Sequence, residues 1–221
     1  MKKYKIYVLF LILFIFLSLN IIKASNNKLP LFGKVIYLDP GHGGLDPGAM
    51  YGGIKEKDIN LELSKRLEDR LIKMGAIVYL TRNGDYDLSS IYTNNRKRSD
   101  LSRRTNMINK SNCDMFLSIH LNAEDTNTWR GAQVFYDDIN KENKKIANIF
   151  QTQFKRSLVS KRKIKKVNDL YLQKRIKRPG VLLEVGFLSN ANERYLLKTK
   201  TYQEKIVNTI VNSLLIYFND V

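Results

Sequence analysis

Apolar residues along the chain fall into two kinds of run. Short dense runs at 34–39, 76–82, 114–123, 131–136 and 181–190 read as strands. Longer stretches repeat their apolar positions every three or four residues and read as helices. One helix is predicted from Asp58, a plausible N-cap, with Ile59, Leu63, Leu67, Leu71 and Met74 on one face and Gly75 as its cap. A short one is expected at about 100–109. Another starts at Asn140, with Ile146, Ile149, Phe150, Phe154 and Leu158 in its stripe. A last one opens on a capping box of Thr201 and Glu204 and carries Ile206, Val207, Ile210, Val211, Leu214, Leu215 and Phe218. Strands alternating with helices predict a single-domain α/β sandwich, in which the strand–helix–strand unit 34–82 suits parallel pairing.

The first residues break this pattern. M-K-K-Y-K is followed by twelve uninterrupted apolar residues, 6–17, and a weaker tail. At 1.5 Å per residue, positions 6–22 would span roughly 26 Å, slightly short of a hydrocarbon core of about 30 Å. Residues 1–24 therefore read as a signal peptide or a signal anchor, 25–32 as a polar linker and 33–221 as the folded domain. The leading lysines favour a cytoplasmic amino terminus and an exported domain, which meets the membrane only through the N-terminal segment.

Charge narrows the partners. Lys and Arg total 38 against 21 Asp and Glu, a formal +17, which favours a polyanionic surface. Export argues against nucleic acid and leaves anionic lipid or cell-wall polymer. Eleven of the cations lie in 155–178 with one acid, Asp169, and a possible short strand at 169–172. This connector reads by default as a solvated surface; the alternatives are a flexible loop beside the active edge and a substrate-facing patch that attracts wall anions. Cys113 is the only cysteine, so an intrachain disulfide is excluded.

Chemistry concentrates where strands end. The chain has only two histidines: His42 lies in the glycine-rich loop D-P-G-H-G-G after the first strand, and His120 closes D-M-F-L-S-I-H-L-N-A. Ligands of open α/β sheets bind at that carboxyl edge. The dinucleotide fingerprint fails, because Asp46 stands where it requires glycine, and no Walker lysine is present. Two histidines at adjacent strand ends instead suit zinc, which when catalytic keeps three protein ligands and an open position. Glu56 is the candidate third ligand; otherwise it is a first-turn acid favoured by the helix dipole. Glu184, inside V-L-L-E-V-G-F, must be ion-paired, metal-bound or functionally poised, since an isolated buried charge is costly. Arg82 and Arg103 are the candidate partners for an ion pair.

Six segments in this order, L-D-P-G-H-G-G, E-K-D-I-N-L, V-Y-L-T-R, L-S-R-R-T-N-M-I-N, F-L-S-I-H-L-N-A and L-L-E-V-G-F-L-S-N, fall within 38–190 and mark a match that runs from about 34 to 218. There the chain resembles the zinc-dependent N-acetylmuramoyl-L-alanine amidases of the bacterial cell wall, the third amidase family. The resemblance implies a twisted, mainly parallel sheet flanked by helices on both faces. It implies zinc held by His42, Glu56 and His120, with Glu184 as catalytic carboxylate. The implied reaction hydrolyses the amide between N-acetylmuramic acid and L-alanine in peptidoglycan. Neither wall-binding repeats nor a self-inhibiting insertion is visible, so the layout is similar to the germination and spore-cortex amidases, which take the first step to muramic δ-lactam. That places the domain in the cell wall, the spore cortex or the forespore membrane space, either free or anchored by residues 6–22. A bare domain leaves room for an activating or localising protein partner. The competing readings are a zinc peptidase acting on wall peptides and a non-catalytic binder of anionic wall polymers.

Overall fold

The computed structural model describes residues 29–219, together with Tyr7, residues 10–12 and Phe14. Most of the expected export segment and half of the 25–32 linker lie outside the described residues. From Leu31 onward the chain forms one compact unit. Its strands are β1 (Val35–Pro40), β2 (Met50–Tyr51), β3 (Ile54–Lys55), β4 (Ile77–Leu80), β5 (Met115–Asn122), β6 (Gln133–Tyr136), β7 (Lys165–Lys166) and β8 (Gly180–Phe187). The helices are α1 (Glu56–Lys73), α2 (Arg96–Lys110), α3 (Asn143–Ser157), α4 (Ala191–Leu197) and α5 (Lys200–Asn219).

Six strands form one sheet in the order β4-β1-β5-β8-β6-β7, and β2 with β3 makes a separate hairpin. All pairs in the large sheet are parallel except β6 with β8. The mainly parallel sheet expected from the sequence is present. Strands at its centre are buried on both sides, which is why β1, β5 and β8 are continuous apolar runs rather than alternating ones.

The two faces are covered unequally. On one, α1, α3 and α5 bury the larger core; Leu63, Leu67, Leu71, Phe150, Phe154, Ile206, Ile210 and Leu214 are almost fully shielded. Each such side chain contributes about 1.5–3 kcal/mol by leaving water. On the other face a smaller core of Tyr37, Ile108, Cys113, Phe116, Leu172 and Ile176 ties α2 and the segment after Asp169 to β1 and β5. The β8–β6–β7 half of that face has no helix in this core.

Several boundaries differ from the sequence reading for identifiable reasons. Helix α1 starts at Glu56, two residues before Asp58, without a side-chain cap. Its first N–H groups are satisfied by loop carbonyls instead: Glu56 donates to Ala49 (2.9 Å) and Lys57 to Pro47 (3.1 Å). Helix α2 starts earlier than expected, because Asn95 accepts from the Arg98 N–H. Asn140 stands ahead of α3 in an Asx turn, accepting from Glu142 N–H at 2.9 Å. Thr199 and not Thr201 caps the last helix, accepting from Tyr202 N–H. Helix α4 was not foreseen; Asn190 caps it. Residues 169–172 form no strand, and Leu172 is buried in the smaller core.

Candidate metal centre

The glycine loop leaves β1 at Pro40 and is locked from below by two buried arginines. Arg104, on α2, donates to the carbonyls of Pro40 (2.8 Å) and His42 (2.6 Å) while pairing with Asp39 and Asp100, both at 2.8 Å. Arg82, just after β4, donates to the carbonyls of Pro40 (3.0 Å), Gly41 (2.9 Å) and Lys57 (2.9 Å). Asp39 also accepts from Thr81 and Ser118, both at 2.7 Å. The V-Y-L-T-R and L-S-R-R-T segments therefore serve the loop's backbone, whose carbonyls would otherwise be buried unpaired.

Held this way, His42 adopts φ +63°, a left-handed conformation uncommon for a side-chain-bearing residue. Its Nδ1 meets Asp46 Oδ2 at 2.8 Å, which leaves Nε2 facing Glu56 Oε2 at 3.1 Å. Glu56 opens α1, and its other oxygen meets His120 Nδ1 at 3.0 Å. The two imidazoles stand edge to face, 4.9 Å between centroids. The ligand atoms of His42, Glu56 and His120 all lie within 4.8 Å of one another.

Two glycines make this convergence sterically possible. A Cβ on Gly41 would lie 2.2 Å from the His120 ring, and one on Gly48 would lie 2.6 Å from Glu56 Oε2. The loop needs glycine to admit the other two ligand side chains.

The electrostatics fit a cation. Burial opposes charge on His42, but its hydrogen bonds to Asp46 and Glu56 push its pKa up to about 9. Burial would raise Glu56, yet His120 and His42 hold it well below the usual carboxylate range. Asp46 is brought down to about 2 by its hydrogen bond with His42. Two carboxylates thus gather round a positive charge, and two imidazoles with one carboxylate are a donor set that suits zinc. Asp46, which orients the imidazole through its second nitrogen, was not picked out from the sequence as part of the site; its place four residues after His42 was the available signal.

Glu184 sits directly opposite His120 in the β5–β8 register. Its Oε2 is shielded from solvent and has no hydrogen-bond partner among the described residues. Burial, with the neighbouring Glu56 charge, raises its pKa to about 8. The ion pair weighed for it is not formed: Arg82 is spent on the loop, and Arg103 is exposed. A buried carboxyl with a raised pKa and no partner, one strand from a candidate metal ligand, is suited to general acid–base work.

Comparison with known proteins places this geometry in context. The N-acetylmuramoyl-L-alanine amidase family matches residues 36–215. The germination-specific N-acetylmuramoyl-L-alanine amidase of Bacillus subtilis is 44% identical over 197 residues, covering 87% of this chain and 83% of that protein. The CwlD amidase from Clostridioides difficile, solved in complex with the GerS lipoprotein, superposes with a TM-score of 0.81 at 38% identity, covering 86% of this chain and all of that one. An N-acetylmuramoyl-L-alanine amidase from Clostridium difficile 630 gives a TM-score of 0.75 at 28% identity, covering 84% of this chain and 97% of that one.

Proposed function

The chain belongs to the N-acetylmuramoyl-L-alanine amidase family, and on that premise we propose that it hydrolyses the amide between N-acetylmuramic acid and L-alanine in peptidoglycan with zinc held by His42, Glu56 and His120. The observation that carries this reading is the convergence of those three side chains beside the unpartnered Glu184. Zinc, when bound there, supplies Lewis acidity to the scissile carbonyl and to the attacking water.

The chain's own residues do the rest. Asp46 keeps the His42 ring turned so that Nε2 faces the metal position. Glu184 accepts the proton of the attacking water and passes it to the departing alanine amine, acting first as base and then as acid. The smaller core holds α2 and residues 170–173 as one wall of the cleft over His42 and His120.

The setting is the spore cortex, where this cleavage frees the lactyl carboxyl needed for muramic δ-lactam. Similarity to the germination-specific enzyme of Bacillus subtilis supports that role. The apolar segment 6–22 delivers the domain across the cytoplasmic membrane, and a lipoprotein partner comparable to the one seen with the Clostridioides difficile enzyme activates or localises it. Mass spectrometry of cortex peptidoglycan digested by the zinc-loaded protein tests the reading. Free lactyl carboxyl together with free alanine amine is the expected product pair. Cleavage within the peptide would instead make it a peptidase, and no cleavage a binder.

A further inference from the structure

The sheet face that carries His120 and Glu184 continues past them into an open groove. Gln133 on β6 is the register partner of Glu184, and Phe135 on β6 is paired with Lys165 on β7. Paired residues project from the same face. The groove, of about 410 Å³, is lined by Gln133, Phe135, Trp129, Arg162 and Lys165, with Asn122 at the end nearest His120.

What distinguishes this groove is how its cations are held. The Arg162 guanidinium lies 4.5 Å from the Trp129 ring centre and 4.8 Å from that of Phe187. The Lys165 ammonium lies over Phe135 at 5.3 Å. Aromatic rings fix both cations without neutralising them. Arg162 Nε is shielded from solvent and has no hydrogen-bond partner among the described residues. The neighbouring acid, Glu193, already uses both oxygens on the N–H groups of Gly131 (2.9 Å) and Phe187 (2.8 Å). Glu124, exposed at the rim, is the one acid in the lining, against two cations. Arg162 covers one face of the Trp129 ring, and two cations against one acid suit the groove to an anion.

We propose that this groove is the subsite for the carboxylates of the acidic stem peptide, with Arg162 receiving the free α-carboxylate of the second stem residue. The proposal rests on the amidase reading, which puts the stem peptide on the amine side of the scissile bond. That second residue is a glutamate linked onward through its side-chain carboxyl, which leaves the α-carboxylate free. Neighbouring strands lie about 4.8 Å apart and residues along a strand about 3.3 Å, so Gln133 stands about 5 Å from Glu184 and Lys165, two strands across and two residues along, about 12 Å. An extended peptide advances about 3.3–3.6 Å per residue, which brings the second and third stem residues over the groove. A guanidinium fixed by stacking offers a planar fork to a carboxylate with little further ordering.

The test uses the full-length chain and two synthetic tripeptides, L-Ala-γ-D-Glu-L-Lys and the same peptide with the glutamyl α-carboxylate converted to an amide. Binding is measured by calorimetry, so no turnover is required. The wild type is expected to bind the acid form about tenfold more tightly than the amide, as a charge-assisted pair implies. Arg162→Gln should abolish that preference while leaving amide binding within about twofold, and Arg162→Lys should keep part of it. Melting temperatures establish that the variants are folded. On muropeptide substrate, Arg162→Gln should raise KM about tenfold with kcat and zinc content unchanged. Equal binding of the two tripeptides by the wild type, no binding of the acid form, or a preference that survives Arg162→Gln overturns the subsite. A preference that depends on Arg162 in a protein that cleaves no muropeptide upholds the subsite and sinks the amidase reading instead.

Discussion

Arg104 Nη2 donates to the main-chain carbonyl of His42 at 2.6 Å, so a helix on the sparsely covered face of the sheet fixes the conformation of the first proposed metal ligand. The same guanidinium neutralises Asp39, and both side chains are about 1% exposed. Arg104→Met would leave the Asp39 carboxylate buried without its counter-charge. The expected cost is about 3–5 kcal/mol in urea unfolding. Adding Asp39→Asn should recover part of it, because the two residues are directly coupled. If the double variant is as unstable as the sum of the singles, the pair is not the origin of the loss.

Asp46 has a different task, since its side chain is partly exposed and its contact is with the imidazole alone among the ligands. Asp46→Asn should cost the metal-free protein only modest stability, because its pair with His42 is partly exposed and screened. It should weaken zinc about 10- to 100-fold, the usual effect of removing a group that orients a ligating histidine. Competition against a chelator of known affinity measures this directly.

Gly48 provides a steric test of the site. An added Cβ would fall 2.6 Å from Glu56 Oε2 and 2.7 Å from His42 Cδ2, on a backbone with φ +65°. Gly48→Ala should therefore displace two ligands at once and lose stoichiometric zinc. Gly53 is the control: its φ is +74°, but nothing lies within 4 Å of the added atom. Both variants carry a backbone penalty of about 1–2 kcal/mol, so a difference in zinc content between them isolates the clash. Equal zinc content would mean that the glycine serves the turn alone.

The sheet was legible because central parallel strands are continuous apolar runs, and β1, β5 and β8 could be placed from those runs. His42, His120 and Glu184 stood out because each interrupts or ends such a run with a group that apolar surroundings tolerate poorly. Glu56 was found by its distance from the loop, although the helix start was misplaced by two residues. Arg82 and Arg104 did not reveal their task, because the parts of the loop they hold are main-chain carbonyls and a carbonyl leaves no mark in a sequence. Arg162 was hidden for the opposite reason. One cation among eleven in 155–178 carries no signal until Trp129, Phe187 and a two-residue strand single it out.

Asp39 sets the response of the fold to acid. Burial alone would raise its pKa, but the charge of Arg104 and the hydroxyls of Thr81 and Ser118 hold it below the ordinary value of 3.8. The unfolded chain then binds the proton more readily than the folded one. The stabilisation is complete above pH 3.8 and disappears as pH falls through the folded value. Asp46 and Asp87, both brought down to about 2, act in the same direction. Glu184, raised to about 8, acts oppositely, and its unfavourable charge develops only at higher pH. Asp39→Asn removes one acid-sensitive component and leaves the others in place. The variant should be less stable than wild type at pH 6 because Arg104 loses its counter-charge, and the two should converge as pH falls towards 2. Urea unfolding across that range makes the comparison, and curves that stay parallel would show that the Asp39 carboxylate has the same pKa folded and unfolded.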